Sequence, residues 1–340
     1  MGLHFSFQFY ELPLQHPFTI SRYTVSVQKT VIVTISNEIH SGYGEATVNP
    51  YYNSTQERLT ESFIKIQSIV EAASGLHPEE FWNTIEPIIK DDYFALCAVD
   101  MAYWDIYAKI NSKTLRSYWS GEEDTSPLTS YTIGIDSLEI MKRKIIEKPW
   151  PIYKIKLGTT NDIQIVESLR KITDSVFRID ANCAWTDIQT IENAEILKDL
   201  NVEFIEQPLK TEDILGMKKV KDQSVLPIIA DESCQREEDV LLCSELFHGV
   251  NIKLMKCGGI TPALRMIQIA KENSLLLMAG CMTESTIGIS GLVQIASLLD
   301  YLDADGALLL SQDIASGASF NFGKIIYPNA FGTGVKLYTK

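Results

Sequence analysis

The chain has no run approaching the roughly 20 apolar residues that a membrane-spanning helix needs. Its start, MGLHFSFQFYELP, lacks a basic segment leading into an apolar run, so no secretory leader is expected. Cations are scarce: 30 Lys and Arg against 44 Asp and Glu give a formal charge of −14. That balance argues against nucleic acid or an anionic membrane as partner, since both are themselves negative. The six cysteines (97, 183, 234, 243, 257 and 281) form no CxxC or CxxxC spacing. A zinc knuckle and a disulfide scaffold are thereby excluded, and a reducing cytoplasm is the expected compartment. No GxGxxG follows a first strand. What remains is ordinary globular composition, 45% hydrophobic and 22% charged over 340 residues, enough for a large core and for two domains.

The first third alternates in places, at HFSFQFY (4–10) and KTVIVTI (29–35), with SGYGEA (41–46) as a turn and returning strand. Residues 55–73 and 92–110 carry helix-spaced apolar positions. GEEDTSP (121–127) is a polar connector ending in proline. Beyond it, β-rich runs alternate with helical segments: YTIGI, IYKIKL, VFRIDA, EFIEQP, PIIADE, VNIKL, LLLMAG and GALLL (306–310). Polar residues mark these runs at 132, 156, 180, 206, 231, 253, 281 and 305, at intervals of 22 to 28 residues. One strand, one helix and two loops fill such an interval, and eight units make a TIM-type barrel rather than an open sheet. The expected organisation is an α+β capping domain over 1–125, completed by about 315–340, and a barrel over 126–314.

Barrel active sites lie where strands end. Strands 3, 4 and 5 end in Asp180, Glu206 and Asp231. Singly each reads as a helix cap or a solvated loop acid. Together they aim oxygens at one volume, where three like charges call for a cation. An all-oxygen set with room for water and substrate suits Mg²⁺ better than Zn²⁺. Lys154 and Lys156 close strand 2, and Lys253 with Lys256 closes strand 6. Strands 2 and 6 are four apart in an eight-stranded barrel, so the ammonium groups face each other, unless they only neutralise the acids. A substrate carboxylate on Mg²⁺ has an acidified α-carbon, because the ion stabilises the enediolate that forms. A base on one wall removes the proton and an acid on the other returns it, inverting the carbon. A lysine needs a depressed pKa for this, which Mg²⁺ and a second ammonium would supply. None of the five histidines (4, 16, 40, 77, 248) closes a barrel run. Asp303 and Asp305 in LDADG, co-facial if extended and far from the metal, suit a substrate ammonium or form a turn pair.

KIKLG, RIDAN, IEQP, ADES and NIKLMKCGG, one per barrel strand, with GYGEA in the capping domain, resemble the enolase superfamily, muconate-lactonising subgroup. GCMTES and DADG are similar to the dipeptide epimerases within it. The resemblance implies a modified (β/α)7β barrel, one Mg²⁺ per subunit on Asp180, Glu206 and Asp231, and an isomerase of dipeptides, L-Ala-D/L-Glu first. It implies Lys156 as acid/base for the (R) epimer, Lys253 for the (S) epimer, and Asp303 and Asp305 on the α-ammonium. Further substrate positions fall on Thr132, Lys154, Asn182, Cys281 and Thr283. The capping loop HPFTISRYTVSV offers Arg22 or Tyr23 to the second side chain. Murein peptide turnover in the cytoplasm is the implied setting, with a homo-oligomer allowed. Two other readings compete: a same-fold lyase or cycloisomerase (o-succinylbenzoate synthase, muconate cycloisomerase), whose substrates lack an ammonium, and a non-catalytic barrel that binds an acidic metabolite.

Overall fold

The computed structural model describes residues 2–19, 24–119 and 125–338. The N-terminal sheet has the order β1 (His4–Thr19), β2 (Thr24–Ser36), β3 (Ser41–Thr47), all antiparallel. Alternation reads β1 only to residue 10, because Pro13 and Pro17 interrupt it; an edge strand tolerates both, since an edge needs no second row of N–H donors. The register with β2 shifts between Pro13 and Phe18 and resumes at Phe18↔Val25, so the two strands form one long hairpin.

Three helices cover this sheet: α1 (Gln56–Ala72), α2 (Pro78–Ile89) and α3 (Tyr93–Ile110). The sequence reading omits α2, where Pro87 interrupts the helical pattern. The signal was present nonetheless: His77 and Glu80 form a capping box, and Phe81, Trp82, Ile85 and Ile89 fall on one buried face. α3 is buried on nearly every side, its Asp100 and Asp105 included, because it is wedged between β3 and the barrel. Gly42 and Gly44 of β3 touch it directly: a Cβ on Gly44 would strike the carbonyl of Ala98, and one on Gly42 that of Ala102. We expect Gly44→Ala to destabilise by about 3 kcal/mol through forced separation of β3 and α3, read as a lowered urea midpoint; an unchanged midpoint would refute the close packing.

The second sheet holds eight parallel strands in sequential order. They are β4 (Tyr131–Ile133), β5 (Ile152–Lys156), β6 (Val176–Asp180), β7 (Val202–Glu206), β8 (Ile228–Ala230), β9 (Gly249–Ile252), β10 (Leu276–Gly280) and β11 (Tyr301–Asp303). A parallel bridge Thr129↔Leu302 and the bond Ser130 N–H to Leu302 O (3.2 Å) close the seam between first and last. Helices α4 (Leu138–Glu147), α5 (Asp162–Arg170), α6 (Asp187–Lys198), α7 (Ile214–Gln223), α8 (Asp239–Leu246), α10 (Ile260–Glu272) and α11 (Thr286–Leu292) fill the crossovers, with a one-turn α9 (Leu254–Cys257) before α10. Among the described residues no α-helix follows β11, so the architecture is (β/α)7β.

One strand assignment is corrected. The eighth strand is 301–303, and residues 306–309 of GALLL form a 3-10 turn instead. Apolar content without alternation does not separate a strand from a buried turn. From that turn the chain returns to the first sheet through a Leu14↔Leu310 bridge. The 315–338 tail pairs Ala315–Ser316 with Lys336–Leu337 beside a buried cluster of Ile32, Ile287, Ala315 and Val335. Among the described residues no helix is long and apolar enough to cross a membrane.

Candidate active site

Side chains alternate along each barrel strand, so residues two apart point into the barrel together. At the floor, Phe204, Ile229 and Met278 pack together with Tyr301, and the buried Arg178 guanidinium lies over the Phe204 and Tyr301 rings. Two residues further along the strands this layer gives way to charge: Asp180, Glu206, Asp231, Lys253 and Asp303.

Asp180, Glu206 and Asp231 offer carboxylate oxygens that all lie within 4.8 Å of one another, and each residue is buried. Lys154 and Lys156 point inward together from β5. Lys156 Nζ donates to Asp180 Oδ2 at 2.5 Å. Lys154 Nζ sits between three acids, 2.8 Å from Asp303 Oδ2, 2.8 Å from Glu206 Oε2 and 3.2 Å from Asp180 Oδ2. On the opposite wall Lys253 Nζ donates to Asp231 Oδ2 at 2.7 Å. Gly280 makes room there, since a Cβ would lie 2.7 Å from Asn251 Oδ1 and 3.1 Å from Lys253 Cε.

The charges set the protonation. Burial pushes Asp180 and Asp231 upward, but the lysines outweigh it: Lys156 and Lys154 hold Asp180 below the usual carboxylate range, and Lys253 and Lys256 hold Asp231 well below it. Glu206 goes the other way, pushed up to about 7 by burial first and the Asp180 charge second. Burial lowers Lys253 and Lys154, yet the facing acids win and raise both well above the ordinary lysine value. Among the protein's own charges the nearest neighbours of these ammonium groups are anions, so the depression a lysine base needs would have to come from the bound ion.

These donors fit a hard divalent ion. All are carboxylate oxygens, and Glu206 Oε2, though 2.8 Å from Lys154 Nζ, is buried without a properly aligned hydrogen bond.

Above the acids opens a cleft. Thr132, Lys154, Lys156, Asn182, Asp231, Lys253, Cys281, Thr283, Asp303 and Asp305 all line it, so the sequence-derived substrate positions converge on one volume. Arg22 and Tyr23 lie outside the described residues; the hairpin beside them contributes Phe18 and Val25 to the cleft wall. Asp303 and Asp305 depart from the expected placement. They are not remote from the acids, since Lys154 links Asp303 to Glu206. Nor are they an extended pair: Asp303 ends β11, while Asp305 starts the 3-10 turn at φ −95°, ψ 4°. Asp303 Oδ1 accepts Ser130 Oγ–H at 2.6 Å, and Asp305 Oδ2 accepts Thr132 N–H at 2.5 Å.

Several supporting residues escaped the sequence reading. Lys256, noticed in IKLMK but given no role, donates to Asp231 Oδ1 (2.7 Å) and to the carbonyls of Asp231 (2.5 Å) and Cys234 (2.8 Å). Asn251 donates to Glu206 Oε1 at 2.8 Å; its position two before Lys253 on one strand was the available signal. Gln207, at φ 36°, turns its Oε1 to accept the N–H groups of Asp231 and Ser233, both at 3.0 Å.

Known proteins align with this arrangement along its length. The family "Enolase C-terminal domain-like" matches residues 138–340, and "Mandelate racemase / muconate lactonizing enzyme, N-terminal domain" matches residues 7–117. An L-Ala-D/L-amino acid epimerase of Flavobacterium johnsoniae is 53% identical over 328 residues, 96% of this chain and 98% of its own. The substrate-liganded L-Ala-D/L-Glu epimerase of Bacillus subtilis superposes at a TM-score of 0.92 with 26% identity, covering 98% of this chain and 99% of that one. A dipeptide epimerase of Enterococcus faecalis, in complex with Mg and L-Leu-L-Tyr, gives 0.90 and 30%, with 98% and 99% covered.

Proposed function

The chain belongs to the mandelate racemase and muconate lactonizing enzyme family of the enolase superfamily, and on that premise we propose that it is a Mg²⁺-dependent dipeptide epimerase with alanine as the first residue. The carrying observation is that two lysines on opposite walls of one cleft each bond a different member of a buried acid triad. Asp180, Glu206 and Asp231 would hold the ion, which supplies positive charge to a substrate carboxylate while the adjacent carbon loses its proton. Lys156 and Lys253 then flank that carbon. One takes the proton as a neutral amine, and the other, as ammonium, delivers a proton to the opposite face, so the centre inverts. Lys154 offsets the repulsion among the acids, and Lys256 and Asn251 fix the orientations of Asp231 and Glu206. Asp303 and Asp305 face the dipeptide ammonium, with Thr132, Asn182, Cys281 and Thr283 around the backbone.

The wall that would meet the second side chain carries Phe18, Val25 and Leu309, apolar residues that suit broad acceptance. The name of the Flavobacterium relative, an L-Ala-D/L-amino acid epimerase, leaves the second residue unspecified and supports breadth. A cycloisomerase or o-succinylbenzoate synthase is not favoured, because its substrate has no ammonium to meet Asp303 and Asp305. We assign residues 1–125, with the 315–340 return, to a unit capping the barrel, and place the enzyme in cytoplasmic turnover of murein peptides, as a homo-oligomer if the superfamily habit holds. The net charge of −14 supports small-molecule chemistry over nucleic acid or membrane.

Proton NMR in D₂O tests the reading. With L-Ala-L-Glu, L-Ala-L-Leu or L-Ala-L-Lys and Mg²⁺, the α-proton signal of the second residue disappears as the diastereomer grows in. Exhaustive chelation stops this and Mg²⁺ restores it. Turnover that survives chelation would sink the carboxylate site, and the absence of exchange with every alanyl dipeptide would sink the epimerase.

A further inference from the structure

The capping sheet reaches into the barrel at a point the reaction leaves unused. Glu45, the acid of GYGEA on β3, is wholly buried. Its carboxylate accepts Ser285 N–H at 3.0 and 3.1 Å, Ser285 Oγ–H at 2.5 Å, Gly288 N–H at 2.9 Å and Thr30 Oγ–H at 2.9 Å. Ser285 is the N-cap of α11 and Gly288 its third residue. A carboxylate from one module thus satisfies the free N–H groups of a helix in the other and lies at the positive end of its dipole.

Position gives this cap its consequence. Only Glu284 and the N-cap Ser285 separate α11 from Cys281, Met282 and Thr283, which line the cleft. Glu284 ties that loop to itself, its Oε1 accepting Met282 N–H at 2.7 Å. A side chain at Gly288 would strike Glu284 Oε2 and approach Glu45 Oε2 to 3.1 Å, so both acids occupy one small buried volume beneath the loop. Asp313 holds the neighbouring Thr286 independently, accepting its N–H at 3.0 Å and its hydroxyl at 2.7 Å. The helix therefore keeps one anchor when the other is removed.

We propose that Glu45 is a positioning residue that holds the Cys281–Thr283 loop in its substrate-binding arrangement through the N-terminus of α11. The capping unit thereby shapes the cleft from beneath as well as through its hairpin. The proposal rests on the epimerase reading of the cleft, so its test includes one readout that needs no turnover.

Cys281 and Cys183 are the two cysteines not fully buried among the described residues, and only Cys281 lies in the tethered loop, where burial raises its thiol well above the usual value and keeps its basal labelling slow. In the full-length protein with Mg²⁺, iodoacetamide labelling followed by peptide mass spectrometry compares their rates in wild type, Glu45→Gln and Ser285→Ala. Losing a charge-assisted hydrogen bond should speed Cys281 about tenfold and leave Cys183 within about twofold. The KM for L-Ala-L-Glu should rise about tenfold with kcat within about threefold. A purely structural role would lower kcat with the folded fraction, leave KM alone and accelerate both thiols together; that pattern, or an unchanged Cys281 rate, overturns the proposal. If Glu45→Gln does not fold, Ser285→Ala decides the matter, since it keeps both acids and the Asp313 anchor. Should wild type prove inactive on every alanyl dipeptide, the epimerase reading fails and the labelling ratio alone decides the role of Glu45.

Discussion

Lys156→Ala and Lys253→Ala are each expected to abolish epimerisation while sparing opposite half-reactions. β5 and β9 lie four strands apart in the eight-stranded sheet, so their lysines approach a centred α-carbon from opposite faces. Each is steered inward by a different acid, Lys156 by Asp180 at 2.5 Å and Lys253 by Asp231 at 2.7 Å. With Lys253 serving the L centre, Lys253→Ala should lose α-proton exchange from L-Ala-L-Glu yet keep exchange from L-Ala-D-Glu, where Lys156 takes a proton and returns a deuteron to the same face. Lys156→Ala should show the mirror pattern. Net epimerisation should fall by about 10³-fold or more, at the upper range for losing a positioned acid or base. The measurement is α-proton exchange in D₂O by NMR, started separately from each diastereomer. If either variant keeps epimerising within about tenfold of wild type, or both lose exchange from the same diastereomer, the two-base reading is wrong. The non-catalytic barrel ends at the first exchange event in wild type.

The parts of this molecule legible in sequence are those where a physical constraint repeats. Strand–helix units recur at a near-constant interval, seven of them before a last strand, so the barrel was countable from the spacing, and carboxylates closing three consecutive strands located the acid triad. Lys154 and Lys156 were legible as a pair because strand alternation sends residues two apart to one face. Legibility failed where the determinant lies far away in the chain. Pro13 and Pro17 hid the far half of β1, because only the sheet order reveals that strand as an edge. Asn251, Gln207 and Ser130 look like ordinary strand-end polars until their partners, 45, 24 and 173 residues away, come within hydrogen-bond reach. Glu45 is the extreme case: it caps a helix 240 residues downstream. Asp303 and Asp305 were found by pattern; what the pattern did not reveal is Lys154, which draws Asp303 towards the acid triad.

That division of labour predicts different outcomes for the two aspartates. Asp305→Asn should raise KM for alanyl dipeptides by about 100-fold with little change in kcat, the scale for losing one buried partner of a charge pair. Asp303→Asn should lower kcat as well, because Asp303 Oδ2 is one of three carboxylate oxygens holding Lys154 beside the acid triad. The pH dependence follows from the same geometry. Burial, then the Asp303 charge, pushes Asp305 up to about 7; burial acts likewise on Asp303, but Lys154 and Ser130 hold it at about 2. Between those values the pair carries one negative charge, and above about 7 it carries two. A raised carboxyl pKa means that the ionised partner of the dipeptide ammonium is lost as pH falls through about 7, so kcat/KM should drop on that side by up to about tenfold per unit. On the alkaline side it should drop above about 8, where the dipeptide's own amino group deprotonates. At saturating Mg²⁺, where the ion keeps Glu206 ionised, Asp305→Asn has no carboxylate left to protonate near 7, so its acid limb should vanish while the alkaline limb stays. An acid limb that persists in Asp305→Asn would assign it to another group and remove Asp305 from the ammonium site.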